Sequence, residues 1–234
     1  MDMKFYRFNE LNAERIKVDC HIHTSWTDGA CGAEAIIQMA VKKGLKQIAF
    51  TEHVRRDSDY YPHFYEEIVQ LRTKYPAIEI IIGVETKVLN LDGDVDMSDE
   101  VKNKAELVLG SVHSIPREDS FVSIVIMEKK DLFCRERDLT FAMIKGQKIQ
   151  VLAHPAGMSL ATHGEFPEEY MESIVREIAK TPMALEWNSK YLLPSIIPLM
   201  TRLCKKYNPY VSCGSDVHRV EELGRCFELM KGIL

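Results

Sequence analysis

Two pairs of residues in this chain are spaced for chemistry: His21-Ile22-His23 and Asp216-Val217-His218. On an extended backbone, residues two apart point to the same side. Each pair can therefore offer two donors to one cation. Four more donors close apolar runs. Residues 47–50 lead into Thr51-Glu52-His53, residues 78–84 into Glu85, residues 107–112 into His113, and residues 150–153 into His154. A carboxylate at the end of a run as apolar as 78–84 is costly to leave unpaired. A bridging position between two cations satisfies Glu85, as does an ion pair with Lys87 or an arginine. Glu52 suits either a ligand role or that of holding a neighbouring histidine. Of the eight histidines, six close such runs. His63, at the start of a helical stretch, reads as structural or substrate-lining, and His163, in a polar loop, as solvent-exposed. Donors this far apart in sequence must be gathered by the fold, and a multinuclear metal centre is the chemistry they suit.

The gathering elements are legible as periodicity. Continuous apolar runs mark strands buried on both faces. Seven are expected, at about 16–20, 47–51, 78–84, 107–112, 149–153, 183–187 and 210–214. Helical spacing marks 33–43, ending at Gly44, and then 61–74, 131–145, 167–180, 194–207 and 221–230. Residues 89–99 read as an acidic turn followed by a short helix. Strands separated by helices are parallel. Parallel strands deliver their C-terminal ends to one face, where active sites collect. The expectation is an α/β fold, a (β/α) barrel of about seven strands, in a single domain over 1–234.

At 234 residues, 46% hydrophobic and 28% charged, the chain has the composition of an ordinary soluble domain. A net charge of −5 and a pI near 5.9 argue against an electrostatic nucleic-acid binder. The N-terminal residues lack an apolar signal-peptide core, and no run is long enough to span a bilayer. The six cysteines form no CxxC pair and no disulfide framework. Reduced, mostly buried thiols in a cytoplasmic protein are expected, with Cys20 and Cys213 as core packing.

The ordered motifs DCHIHT…TDG, TEH, GVE, GSVHS, AHP and GSDVH, running from Val18 to His218, resemble the PHP superfamily, named for polymerase and histidinol phosphatase. The resemblance implies a distorted (β/α)7 barrel with three divalent ions, Zn, Mn or Fe, at the C-terminal face of the strands. It implies one set of ligands from His21, His23, Glu85 and Asp216. A second set would be Glu85, His113 and His154, with Glu85 bridging, and a third Asp28, His53 and His218. In this family the Asp28 position varies between His and Asp, and the TDG spelling matches the Asp form. The subgroup it looks most like is that of small stand-alone, histidinol-phosphatase-like phosphatases.

Clustered cations polarise phosphoryl oxygens and lower the pKa of a bound water. The expected reaction is hydrolysis of a small-molecule phosphate monoester by a hydroxide held between two cations, with Asp216 or His218 protonating the leaving group. Basic side chains should position the phosphate. The candidates are Arg117 and Lys190, with Arg55, Arg56 and Arg219 also near the expected face. Glu186 and Asn188, closing the sixth strand, are expected to line the pocket. A small phosphorylated substrate is expected, with no membrane partner. Competing readings are a phosphodiesterase or nuclease acting on nucleotides or short nucleic acids, a non-phosphate hydrolase, and a regulatory protein with a vestigial site. Competent ligand types at every expected position argue against decay.

Overall fold

The computed structural model describes residues 4–117, 120–122 and 127–234, the side chains of 117, 120 and 121 excepted. Seven strands run parallel: β2 (Val18–Ile22), β3 (Gln47–Val54), β4 (Glu79–Lys87), β5 (Leu107–Ser111), β8 (Val151–Leu152), β9 (Ala184–Asn188) and β10 (Tyr210–Gly214). The antiparallel β1 (Tyr6–Arg7) extends them, giving the order β1-β10-β9-β8-β5-β4-β3-β2. The ladder is open between β2 and β10. A short parallel bridge spans the gap just beyond β10, where His23 N–H donates to Val217 O (2.9 Å) and Val217 N–H to His21 O (3.0 Å). The result is a barrel of the seven parallel strands expected from the apolar runs, open at one seam and so distorted as the family resemblance implied.

The helices lie between strands. They are α1 (Ala33–Lys42), α2 (Tyr61–Lys74), α3 (Asp99–Lys104), α4 (Lys129–Gly146), α5 (Gly157–His163), α6 (Glu168–Ile178), α7 (Ile197–Tyr207) and α8 (Arg225–Lys231). Their apolar faces and the outer faces of the strands form one large core, including Ile48, Phe50, Ile80, Ile82, Phe64, Ile174 and Trp187. A second cluster lies inside the strands and is built largely of small residues: Cys20, Ala49, Ala153 and Ala184, with Ile81, Leu107, Leu109 and Val151. Period-two alternation puts Thr51 and His53 on the same face as Ala49, and Glu85 on the same face as Ile81. The inner face is thus apolar at its base and polar at its C-terminal end.

Several elements depart from the sequence expectation. β8 is two residues long, shorter than the 149–153 run. The hairpin of β6 (Ile115–Arg117) and β7 (Ser120–Val122) was not expected, and neither was β1. Segments of two or three residues are too short to carry a periodicity. Among the described residues, no helix is long and apolar enough to cross a membrane.

Candidate metal centre

Two local distortions aim ligands that alternation alone would misplace. On β2, Cys20 belongs to the inner face, so regular alternation turns His21 outward. The β2–β3 register instead shifts between Asp19 and Ile22, with one extra residue in β2. Such a bulge re-aims the side chains that follow it, and His21 and His23 both reach the centre. After β8, Ala153 faces inward and His154 follows it at φ +27°. Asp216 also sits in the left-handed region, at φ +52°. Both conformations are disfavoured for non-glycine residues and concentrate at functional sites. Asp19, on the opposite side of β2, accepts from Ser215 N–H (2.9 Å) and Gly224 N–H (2.8 Å), tying β2 to the segment that carries Asp216. Burial pushes its carboxyl up to about 6.

The side chains at the barrel mouth converge on Glu85, whose register neighbour on β3 is His53. Glu85 Oε1 lies 2.9 Å from His154 Nε2 and 3.1 Å from His113 Nε2. Those two nitrogens are 3.4 Å apart. Glu85 Oε2 lies 3.1 Å from His53 Nδ1, 3.3 Å from His21 Nε2 and 3.5 Å from His23 Nε2. Asp216 Oδ1 completes that side, 3.4 Å from His23 Nε2 and 3.9 Å from His21 Nε2. A third group forms around Asp28 Oδ2, 3.2 Å from His218 Nε2 and 3.4 Å from His53 Nε2. The three expected sets are thus each gathered in space. Ligand atoms of His23, His53 and His218, and of His21, His23 and Asp216, come within 4.8 Å of one another.

The donor chemistry fits cations. His21 Nε2 and His23 Nε2 face each other at 3.1 Å, alongside two carboxylates. His23 Nδ1 is buried without a hydrogen-bond partner among the described residues. Burial opposes ionisation of Glu85, yet His113, His21 and His154 hold its carboxyl well below the usual range. Burial likewise opposes ionisation of Asp216, and His21, His23 and His154 hold its carboxyl well below the usual range. His23 is pushed down to about 4, first by burial. Two buried carboxylates held ionised among imidazole nitrogens are a donor set that suits divalent cations.

Glu186 has a role the sequence did not reveal. Instead of lining the pocket it lies fully buried beneath the cluster. Its Oε1 is 2.7 Å from His21 Nδ1, which turns His21 Nε2 toward Glu85. Its Oε2 accepts from His154 N–H (2.6 Å) and Asn188 Nδ2 (3.1 Å). A carboxylate in this position is the kind that orients a histidine for ligation. The buried run Ala184–Asn188, with one acid at an inward position, is the signal that could have found it. Glu52 neither faces the cluster nor holds a histidine. It accepts from Thr24 N–H (2.8 Å) and from Thr27 Oγ1, and so fastens the loop that carries Asp28. Tyr191 packs against His154 with ring centroids 4.6 Å apart.

Of the residues expected to hold phosphate, Lys190 reaches the centre, with Nζ 3.2 Å from Asp216 Oδ2 and 3.5 Å from His218 Nδ1. Arg56 does not line the cleft; its backbone N–H donates to Asp96 Oδ1 (3.1 Å). The neighbouring Arg55, the first residue after β3, lines it instead, while Arg56 lies in the turn that follows. Arg117 lies on β6, and its side chain falls outside the described residues. His63 is exposed on the first turn of α2, and His163 packs edge-on against Phe133 at the end of α5. The cleft beside the cluster has a volume of about 500 Å³ and is lined by His53, Val54, Arg55, Glu85, Lys87, His113 and Ser114.

Known proteins resemble this chain in sequence and in fold. The chain is 25% identical over 219 residues to the DNA polymerase/3'-5' exonuclease PolX of Bacillus subtilis, aligning 89% of this chain with 35% of that protein. It therefore spans about a third of that relative. It is 28% identical over 221 residues to a probable phosphatase of Caldicellulosiruptor bescii, aligning 90% of this chain and 83% of that one. Its fold matches the histidinol phosphate phosphatase of Lactococcus lactis, crystallised with zinc, L-histidinol and phosphate. The TM-score is 0.68 at 18% identity, covering 92% of this chain and 93% of that one. The PHP domain family model matches residues 19–190, a stretch that carries the motifs from His21 to His154, and the chain belongs to the PHP family.

Proposed function

We propose that this protein is a metal-dependent phosphoesterase that hydrolyses a small-molecule phosphate monoester. Three divalent cations of the zinc, manganese or iron type are held at the barrel mouth. His21, His23, Glu85 and Asp216 hold one, Glu85, His113 and His154 a second, and Asp28, His53 and His218 a third. The observation that carries this reading is the division of Glu85. Its Oε1 faces His113 and His154, and its Oε2 faces His21, His23 and His53. A carboxylate presenting each oxygen to a different set of nitrogens is built to bridge.

Bound together, such cations lower the pKa of water and neutralise charge developing on a phosphoryl group. The protein's own residues do the rest. Glu186 fixes the tautomer and direction of His21. Lys190 supplies a cation for a phosphoryl oxygen beside Asp216. Asp216 and His218 border that position; His218 would serve proton transfer to the leaving oxygen, while Asp216, held ionised, would act as a ligand and an acceptor only. No serine or cysteine nucleophile is needed. The phosphatase names of curated relatives and the phosphate bound by the Lactococcus lactis enzyme support the reaction class.

The test is turnover of p-nitrophenyl phosphate by protein loaded in turn with Zn, Mn and Fe(II). Hydrolysis that exceeds the rate on bis-p-nitrophenyl phosphate and is abolished by Glu85→Ala is expected. A faster rate on the diester would replace the monoesterase reading with that of a phosphodiesterase.

A further inference from the structure

The cleft beside the cluster has a charge that its ligands do not explain. Apart from His53, Glu85 and His113, its walls are Val54, Arg55, Lys87 and Ser114. Two of those four are cations, and among the described residues of the lining Glu85 is the only carboxylate. Glu85 is already engaged by five histidines. Lys87 leans toward Asp96, with Nζ 3.7 Å from Oδ2. Arg55 forms no ion pair among the described residues. Ser114 Oγ is buried in the same lining without a hydrogen-bond partner among the described residues. A buried hydroxyl without a partner costs free energy unless a ligand supplies one.

A different cation, Lys190, stands at Asp216 and His218. The ligand cluster therefore has a basic group beside its Asp216 portion and another basic wall beside His53 and His113. One monoester phosphate needs only one of them.

We infer that the substrate carries a second anionic group on its leaving alcohol, a carboxylate or a further phosphate, bound in the cleft by Arg55 with Ser114 and Lys87. This inference rests on the phosphoesterase reading above. Arginine is suited to the task because its planar fork matches a carboxylate or phosphate with two parallel hydrogen bonds. The same wall disfavours an alcohol that bears an ammonium group. L-histidinol, bound by the Lactococcus lactis relative, is such an amine, so the two pockets would accept leaving groups of opposite charge.

The experiment compares kcat/KM for propyl phosphate, 2-carboxyethyl phosphate, 1,3-propanediol bisphosphate and 3-aminopropyl phosphate on the metal-loaded protein. At least one of the two anionic esters should exceed propyl phosphate by roughly tenfold, the scale of one charge-assisted hydrogen bond. The aminopropyl ester should fall below propyl phosphate. Which anionic ester leads decides between carboxylate and phosphate. Arg55→Ala should collapse the anionic-to-neutral ratio toward one, and Arg55→Glu should invert the ranking in favour of the aminopropyl ester. Because each variant is judged by a ratio, a general loss of activity does not mimic the result. Equal rates on the neutral and anionic esters, or a preference that survives Arg55→Glu, would overturn the inference while leaving the phosphatase reading standing. No turnover of any ester, p-nitrophenyl phosphate included, would overturn both.

Discussion

Glu186 binds no cation in this account, yet it decides where His21 points. Its carboxylate also receives His154 N–H, so one buried acid orients ligands from two different strands. Removing it should weaken metal retention by roughly 10- to 100-fold, the usual effect of losing such a partner. Competition of Glu186→Ala against a chromophoric chelator measures this, and an unchanged affinity would mean that His21 is held by packing alone. Lys190 acts on the substrate side. Lys190→Ala should raise KM for p-nitrophenyl phosphate about tenfold with a smaller change in kcat, because a charge-assisted contact to phosphate is lost in ground and transition states alike. A fall in kcat at constant KM would place Lys190 in the chemical step instead. At this scale the proposed ligands that close apolar runs were legible because each is a polar residue where none is expected, whereas Asp28, in a polar loop, entered only through the family resemblance. Glu186 was not, because one sequence does not distinguish an acid beneath a site from one that lines it.

Strands and loops set the precision of the centre. The apolar runs of β3 and β4 were legible because both of their faces are buried. The bulge in β2 and the left-handed turns at His154 and Asp216 were not, since they depend on the register of neighbouring strands. Gly214 illustrates how tight that register is. A Cβ there would collide with the Glu186 carboxylate and lie 2.6 Å from His21 Cβ. Gly214→Ala should therefore destabilise the fold by about 1–3 kcal/mol, as overpacking does, and loosen metal binding together with it. Thermal melting of the chelator-treated protein isolates the first effect, and an unaltered melting temperature would contradict the packing argument. The Asp28 loop depends on Glu52 in the same way. Glu52→Ala frees Thr24 and Thr27, and should cost the cation at Asp28, His53 and His218 before the other two. Elemental analysis would read this as a loss of one equivalent; a loss of all three would show that Glu52 supports the whole barrel mouth.

For the whole molecule, the barrel's inner core is thin beneath the site, and its mouth holds two buried carboxylates and a ring of imidazoles. Cations that bind only the folded state stabilise it by mass action, about 2.7 kcal/mol for each site at free metal a hundredfold above Kd. Chelation should lower the melting temperature by about 5–11 °C for each site emptied, given about 2–4 °C per kcal/mol for a domain of this size. A metal-independent melt would separate the cluster from stability. The (β/α)7 architecture was readable from the alternation of apolar runs and helical stretches, whereas the opening between β2 and β10 was not, because closure depends on backbone bonds at Val217 that no side-chain pattern encodes.

Metal content per chain, measured by elemental analysis on protein purified without chelator or affinity tag, tests the central claim most directly. The account predicts two to three equivalents of Zn, Mn or Fe in the wild-type protein. Glu85→Ala, which removes the bridge, should lose at least two of them while still folding. A folded wild-type protein that takes up no divalent cation, even after incubation with each ion, would contradict the metal centre and the hydrolytic function built on it.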